Sequence, residues 1–311
     1  MKSEFELIEL LKQKIPRFLQ GEIPIGDDAA VLPGRGRERF LFTTDVLVEG
    51  VDFLWGKTPP EKIGRKALAV NLSDIAAMGG EPLACVISLG IPRHVNEKWI
   101  EKFYSGMVRL AKKYTTLCVG GDLSRSREFF VSVALLGRAA SNEIITRKGA
   151  CPGDWIGVTG MLGGSILGRH LEFEPRIQEG RWLARRFRPS AMIDISDGLL
   201  QDLGHLLEQS HTGAIIDLNG IPVSRAAKRL AKKSRAKALR HALTDGEDFE
   251  LLFAISANKK QKLEKAWKIH FPQVPLSWIG CIRGRKPQIL WMRGSRAVRA
   301  FRLRRKGFSH F

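Results

Sequence analysis

The chain has 311 residues, long enough for two domains with a sizeable core, and its 44% hydrophobic content fits a soluble globular protein. Its 51 basic and 32 acidic residues leave a formal net charge of +19, which suits the steering of anionic small molecules as well as nucleic acid. The longest apolar stretch, LACVISLGIP at 83–92, is far short of the ~20 residues a membrane span needs, and the N-terminal MKSEFELIELLKQKI lacks the apolar run of a signal peptide.

Ser3 and Glu6 form a capping-box pattern before the helical FELIELLKQKI, with Pro16 near its end. RFLFTTD (39–45) reads as a strand ending on Asp45. PPEKIGRKALAVNLSDIAAMG (59–79) reads as a helix opened by prolines and closed by glycine. ACVISLGI is a strand, EKWIEKFYSGMVRLAKKY (97–114) an amphipathic helix, TTLCVGGD (115–122) a strand ending on Asp122, and FFVSVALLGRA (129–139) another strand. Near CPGD (151–154) the pattern restarts. DWIGVTG is a strand, LGGSILGRHL a helix, MIDISDG a strand and LLQDLGHLLEQS a helix, followed by strands GAIIDL and DFELLFAIS and the helix NKKQKLEKAW. Some strands follow one another directly. That favours an α/β chain of two mixed α+β sandwiches over one doubly wound sheet, divided into residues 1–145 and 146–311.

Cys85, Cys118, Cys151 and Cys281 are scattered, with no CxxC pair, and read as reduced thiols of a cytoplasmic protein. Much of the basic charge lies in SRAAKRLAKKSRAKALRH (224–241) and RGSRAVRAFRLRRKG (293–307). The first stretch has no aromatic stacking residues, so a solvated basic helix face is favoured over a nucleic-acid site.

Acids recur in one setting. IGDDAAV (25–31), FTTDVLVEG (42–50), CVGGDLS (118–124) and IDISDGL (193–199) each lead an apolar run into carboxylates beside glycine or hydroxyl groups. Asp74 adds a fifth carboxylate site on a helix, where Gly64, Ala67, Asn71 and Asp74 share one face. That face could be ordinary solvent exposure, yet NLSDIAAMGG lacks the Lys and Glu of exposed helices. One such acid is common turn chemistry. Five suggest a cation, because buried aspartates repel each other unless positive charge sits between them. Oxygen ligands without His or Cys suit Mg²⁺ and argue against zinc or copper. Gly56-Lys57-Thr58 resembles the end of a Walker motif, but Val51 stands where its first glycine is required. No protein-kinase HRD or DFG set is present.

Taken together, IGDDAAVL, TTDVLVEGVDF, KALAVNLSDIAAMGGEP, VGGDLSR, TRKGACPGDWIGVTG, IDISDGLLQDLGH, DGEDFELLF and the terminal GFSHF resemble the thiamine-monophosphate kinase family, in family order and over nearly the whole chain. The wider superfamily includes aminoimidazole ribonucleotide synthetase, selenophosphate synthetase and the hydrogenase-maturation dehydratase. The resemblance implies a fold of the aminoimidazole ribonucleotide synthetase type: an N-terminal ATP- and Mg²⁺-binding domain that dimerises, and a C-terminal α/β domain completing the site. It implies phosphoryl transfer from ATP to thiamine monophosphate, giving thiamine diphosphate, in a homodimer; the short apolar stretches argue against a membrane partner, and a nucleic-acid partner is disfavoured. Asp28, Thr43, Thr44, Asp45, Asp74, Asp122, Asp194 and Asp197 match the family's magnesium positions, with Asp45, Asp74 and Asp122 closest to the chemistry. Tyr104, Gly121, Asp122, Arg147 and Ser196 match nucleotide contacts, although Tyr104 also reads as a half-buried helix tyrosine. Glu247 matches a substrate contact. Asp27 reads as a turn residue or a support for Asp28.

Two departures fall at the substrate end. Asp52 stands where the family usually has histidine, and the C-terminal aromatic that commonly contacts thiamine aligns with Arg305 or Phe308. Another ATP-dependent synthetase of the superfamily is the alternative. A basic nucleic-acid-binding relative without catalysis is a further one, which the intact aspartate set disfavours.

Overall fold

The computed structural model describes residues 4–15, 23, 25–284, 286–294 and 296–298. Its first half holds α1 (Glu4–Lys14), β1 (Ala30–Pro33), β2 (Glu38–Val48), α2 (Pro60–Ala77), β3 (Glu81–Ile91), α3 (Glu97–Lys113), β4 (Leu117–Arg125) and β5 (Phe130–Ala140). Ser3 and Pro16, expected to frame the first helix, lie outside the described residues. The strands form a five-stranded sheet in the order β1-β2-β5-β3-β4, in which β3 runs parallel to β4 and the other pairs are antiparallel.

Alternation along these strands sends Leu41, Leu47, Ile87, Val131 and Leu135 to one face, where they pack into a core with α2 and α3. Leu68, Leu72 and Ile75 of α2 are wholly inaccessible; burying a side chain of that size stabilises by roughly 1.5–3 kcal/mol. The small polar face of α2 is not solvated either: Gly64, Ala67 and Asn71 are buried and Asp74 is half-buried. The helices touch at two glycines. A Cβ on Gly64 would lie 2.0 Å from the Phe103 carbonyl oxygen, and one on Gly106 1.8 Å from that of Glu61.

The opposite sheet face is open. Phe42 and Val46 of β2 and Val86 of β3, on that face, are between 42% and 51% exposed, and Leu117, Val119 and Leu123 of the edge strand β4 are each 63% exposed. The cysteines, scattered in sequence, are not all apart in space: Cys85 and Cys118 face each other on β3 and β4 with sulfurs 3.7 Å apart, both as free thiols. Burial pushes the Cys85 thiol up to about 12.

The second half comprises β6 (Trp155–Thr159), α4 (Arg169–Glu172), α5 (Ile177–Arg186), β7 (Ala191–Asp194), α6 (Leu199–Ser210), β8 (Gly213–Asp217), α7 (Arg225–Leu230), α8 (Arg235–Thr244), β9 (Leu251–Ile255), α9 (Ala257–His270), β10 (Leu276–Arg283), β11 (Ile289–Arg293) and β12 (Arg296–Val298). These strands form a seven-stranded mixed sheet, β12-β11-β8-β10-β6-β9-β7. All five residues of β9 are buried, and they divide between two cores. Leu252 and Ala254 join Leu203 and Leu206 of α6 on one side. Leu251, Phe253 and Ile255 join, on the other, the same core that holds Leu68 and Phe103 of the first half.

Two mixed sheets are therefore present, as the irregular alternation of elements suggests, with several local corrections. β2 and β4 do not end on Asp45 and Asp122 but run three residues further, to Val48 and Arg125. LGGSILGRHL is not one helix. Gly163, Gly164 and Gly168 adopt positive φ and leave a short 3-10 turn at Ser165–Leu167 followed by α4. The basic stretch 224–241 forms two short helices, α7 and α8, capped by Ser224 and Ser234, with Ala227, Ala238 and Leu239 buried and most bases exposed.

Candidate active site

The carboxylates gather where the two halves of the chain meet, beside α2. Asp28 precedes β1, Asp74 lies near the end of α2, and Asp194 closes β7; each offers an oxygen within 4.8 Å of the others'. Each is also held from outside the cluster. Thr43 Oγ1 donates to Asp74 Oδ2 at 2.5 Å, and Ser73 Oγ donates to Asp194 Oδ2 at 2.5 Å. Arg147 donates to Asp28 Oδ1 through Nε at 3.1 Å and Nη2 at 2.5 Å, while its own N–H donates to Asp27 Oδ1 at 2.6 Å. Asp27 thus supports the turn and Arg147. Among the described contacts, Asp28 Oδ2 is buried without a hydrogen-bond partner.

Crowding and burial set the protonation. Burial first, then Asp45, Asp194 and Asp28, push Asp74 well above the usual carboxylate range. Burial and the Asp28 charge raise Asp194 to about 8 against Ser73 and Arg147, which oppose the shift. Burial raises Asp28 as well, although Arg147 pulls it back. Burial alone would weaken the Arg147 charge, but Asp28 more than offsets it and holds the guanidinium above its ordinary value.

Other expected residues lie beside this centre. Asp45 stands two residues beyond Thr43, on the same face of β2. Asp197 accepts from Gln201 Nε2 at 2.9 Å, and its N–H donates to Asp202 Oδ2 at 3.2 Å; Asp197, Asp202 and His205 form a second close group. Burial and Arg147 lower His205 to about 4, so its ring is neutral near pH 7. The Ser196 carbonyl accepts the N–H of Glu247 at 2.6 Å. Glu247 pairs with the buried Lys66, which also donates to the Asp52 carbonyl at 3.1 Å. The Asp52 carboxylate turns back on its own loop, Oδ2 accepting the Val48 N–H at 2.8 Å.

A second set lies elsewhere. Asp122 is exposed on the edge strand β4, in register with Ser88, which pairs with Ser132; Thr44 Oγ1 lies 3.3 Å from Ser132 Oγ. This row follows the open face, whereas Thr43 and Asp45 lie on the covered one. β5 and β3 separate β2 from β4, a span of roughly 14 Å at the usual strand spacing. Within one chain, Thr44 and Asp122 therefore do not join Asp28, Asp74 and Asp194. Gly121 is part of the same edge: a Cβ there would lie 1.8 Å from the Ile87 carbonyl oxygen. Tyr104 is half-buried on α3, and burial, with Cys118 and Cys85 nearby, raises its hydroxyl. Arg305 and Phe308 lie outside the described residues.

Ser73, Lys66 and Asp202 were not singled out from the sequence. The dearth of exposed-type charges in NLSD was the one available signal, and it points at Ser73.

Residues 26–139 match the family model described as AIR synthase related protein, N-terminal domain. The chain is 37% identical over 299 residues to a thiamine-monophosphate kinase of Rhodopirellula baltica, covering 93% of this chain and 92% of that one. It is 36% identical over 331 residues to a thiamine-monophosphate kinase of Escherichia coli K12, covering 99% and 98%. Among solved structures, "AaThiL complexed with AMPPCP and TMP" superposes with a TM-score of 0.83 at 31% identity, covering 99% of this chain and 97% of that one.

Proposed function

The chain belongs to the thiamine-monophosphate kinase family, and on that premise we propose that it moves the γ-phosphoryl group of ATP onto the phosphate of thiamine monophosphate, giving ADP and thiamine diphosphate. The observation that carries this reading is the convergence of Asp28, Asp74 and Asp194 from both halves of the chain. An all-oxygen set with an orphaned buried oxygen at Asp28 Oδ2 fits Mg²⁺. In this reading Asp28, Asp74 and Asp194 hold magnesium together with Thr43, Asp45 and Asp197, and Thr44 and Asp122 supply further ligands from the open face. Bound Mg²⁺ would neutralise the phosphate oxygens that must approach one another.

The protein's own residues position the reactants. Arg147 keeps the Asp28 turn in place and meets the nucleotide beside Ser196. Tyr104, Gly121 and Asp122 contact the nucleotide from the sheet edge, and Asp45, Asp74 and Asp122 lie nearest the transfer. Glu247 faces the acceptor, Asp52 belongs to the same acceptor side through its loop, and Arg305 or Phe308 contacts thiamine. An acceptor phosphate is already ionised at neutral pH, so transfer needs neither a protein nucleophile nor a strong base. The route is direct and in line, without a phosphoenzyme.

The wide separation of the two residue sets supports a homodimer, in which β4 of one subunit lies near the carboxylate centre of the other. The edge strand β4, with Leu117, Val119 and Leu123 each 63% exposed, is an apolar surface of the kind that partners cover. Residues 1–145 form the ATP, Mg²⁺ and dimerisation domain and residues 146–311 the domain completing the site. Among the described residues no helix is long and apolar enough to cross a membrane; the proposed location is the cytoplasm.

Incubation with ATP, Mg²⁺ and thiamine monophosphate, followed by chromatography, tests the reading. Thiamine diphosphate is the expected product. ATP hydrolysis without it would favour another ATP-dependent synthetase of the superfamily.

A further inference from the structure

Glu247 has φ 61°, a left-handed conformation that is strained for a residue with a Cβ. Two contacts hold it there: its N–H donates to the Ser196 carbonyl at 2.6 Å, and its carboxylate pairs with Lys66. The Lys66 side chain is only 1% exposed, whereas that of Glu247 is 33% exposed. A lysine this deeply buried is costly unless its amine is fully engaged. The remaining contact of Lys66 Nζ is with the Asp52 carbonyl at 3.1 Å. Thus one side chain of α2 reaches across to both residues assigned to the acceptor, 14 positions away on one side and 181 on the other. The solvent-facing part of the Glu247 carboxylate stays open to a ligand.

We propose that Lys66 is a positioning residue for the phosphoryl acceptor, fixing the Glu247 carboxylate and the Asp52 main chain relative to each other. The proposal rests on the family reading of the site. Its consequence is selective. Loss of the Lys66 contact frees Glu247 to leave its strained conformation, which weakens acceptor binding and leaves ATP binding intact.

The test uses full-length Lys66→Met, Lys66→Gln and Glu247→Gln proteins and the Lys66→Gln/Glu247→Gln double variant. Gln keeps a donor for the Asp52 carbonyl and loses the ion pair. Lys66→Gln and Lys66→Met are expected to raise KM for thiamine monophosphate at least tenfold and leave KM for ATP within twofold. If Lys66 acts through Glu247, the double variant has the acceptor KM of Glu247→Gln alone. Equal rises in both KM values, an unchanged acceptor KM, or loss of the folded state in both single Lys66 variants would overturn the proposal and make Lys66 a support of the fold only. Thiamine diphosphate formation by the unaltered protein in the same assay tests the family reading separately.

Discussion

Ser73 and Asp194 lie 121 positions apart in the chain, and Ser73 Oγ donates to Asp194 Oδ2 at 2.5 Å. This contact joins α2 of the first half to the end of β7 in the second and favours the ionised carboxylate that a metal requires. A hydrogen bond to a charged group contributes ~1.5–3 kcal/mol, and 1.4 kcal/mol is tenfold in affinity. Ser73→Ala is therefore expected to raise the Mg²⁺ concentration for half-maximal activity about tenfold, with turnover largely restored at saturating Mg²⁺. An unchanged Mg²⁺ titration would show that Asp194 does not bind the ion.

Asp74 is crowded by three other carboxylates, and Asn can still accept the hydrogen bond from Thr43. Asp74→Asn should lower turnover more than tenfold, which is above ~1.4 kcal/mol of barrier. Removing one of several mutually repelling carboxylates should leave the melting temperature of the metal-free protein unchanged or higher. Wild-type turnover in this variant would remove Asp74 from the metal set.

The pH dependence has a definite sign. Asp194 is raised to about 8 from its ordinary 3.8, chiefly by burial and then by Asp28. The folded protein then binds more protons than the unfolded chain between these values. The contribution of Asp194 to stability is fully present below the unfolded value and is lost as pH rises through the folded one. Metal-free protein should melt at lower temperature at pH 8 than at pH 6. Mg²⁺ should raise the melting temperature more at pH 8, because its ligands must be deprotonated. A larger Mg²⁺ effect at pH 6 would contradict the assignment.

Val119 and Leu123 are exposed in the single chain, so charge placed there costs the subunit little. Val119→Asp/Leu123→Asp is expected to give a folded monomer by light scattering and circular dichroism. Its kcat/KM for ATP should fall at least tenfold, because Tyr104, Gly121 and Asp122, which reach the partner's centre in the proposed dimer, would no longer do so. A fully active monomer would show that each chain builds its site alone.

The helices with clear 3.6-residue periodicity, such as α3 and α6, were legible in the sequence to within a residue. The recurring acid-glycine setting marked Asp28 and Asp194, but equally Asp122, which lies on the edge strand β4, and Asp74 sits on a helix outside that setting. Strand ends were not legible: Val46, Leu47 and Val48 continue the in-out alternation past Asp45, so no local signal halts β2. The LGGSILGRHL helix failed because its glycines adopt backbone conformations that tertiary packing selects. Lys66 was illegible for another reason. A lysine on a helix usually marks solvent, and its burial depends on Glu247, 181 positions away.

The division of β9 between two cores also bears on how the site works. Its odd-numbered side chains belong to an apolar interior continuous with α2 and α3, so the halves cannot swing apart without tearing that interior open. The repulsion among the aspartates is thus met once, when the chain folds, and not again at each catalytic cycle. Ligands arrive at a preorganised floor, and any motion that admits them is left to the surrounding loops.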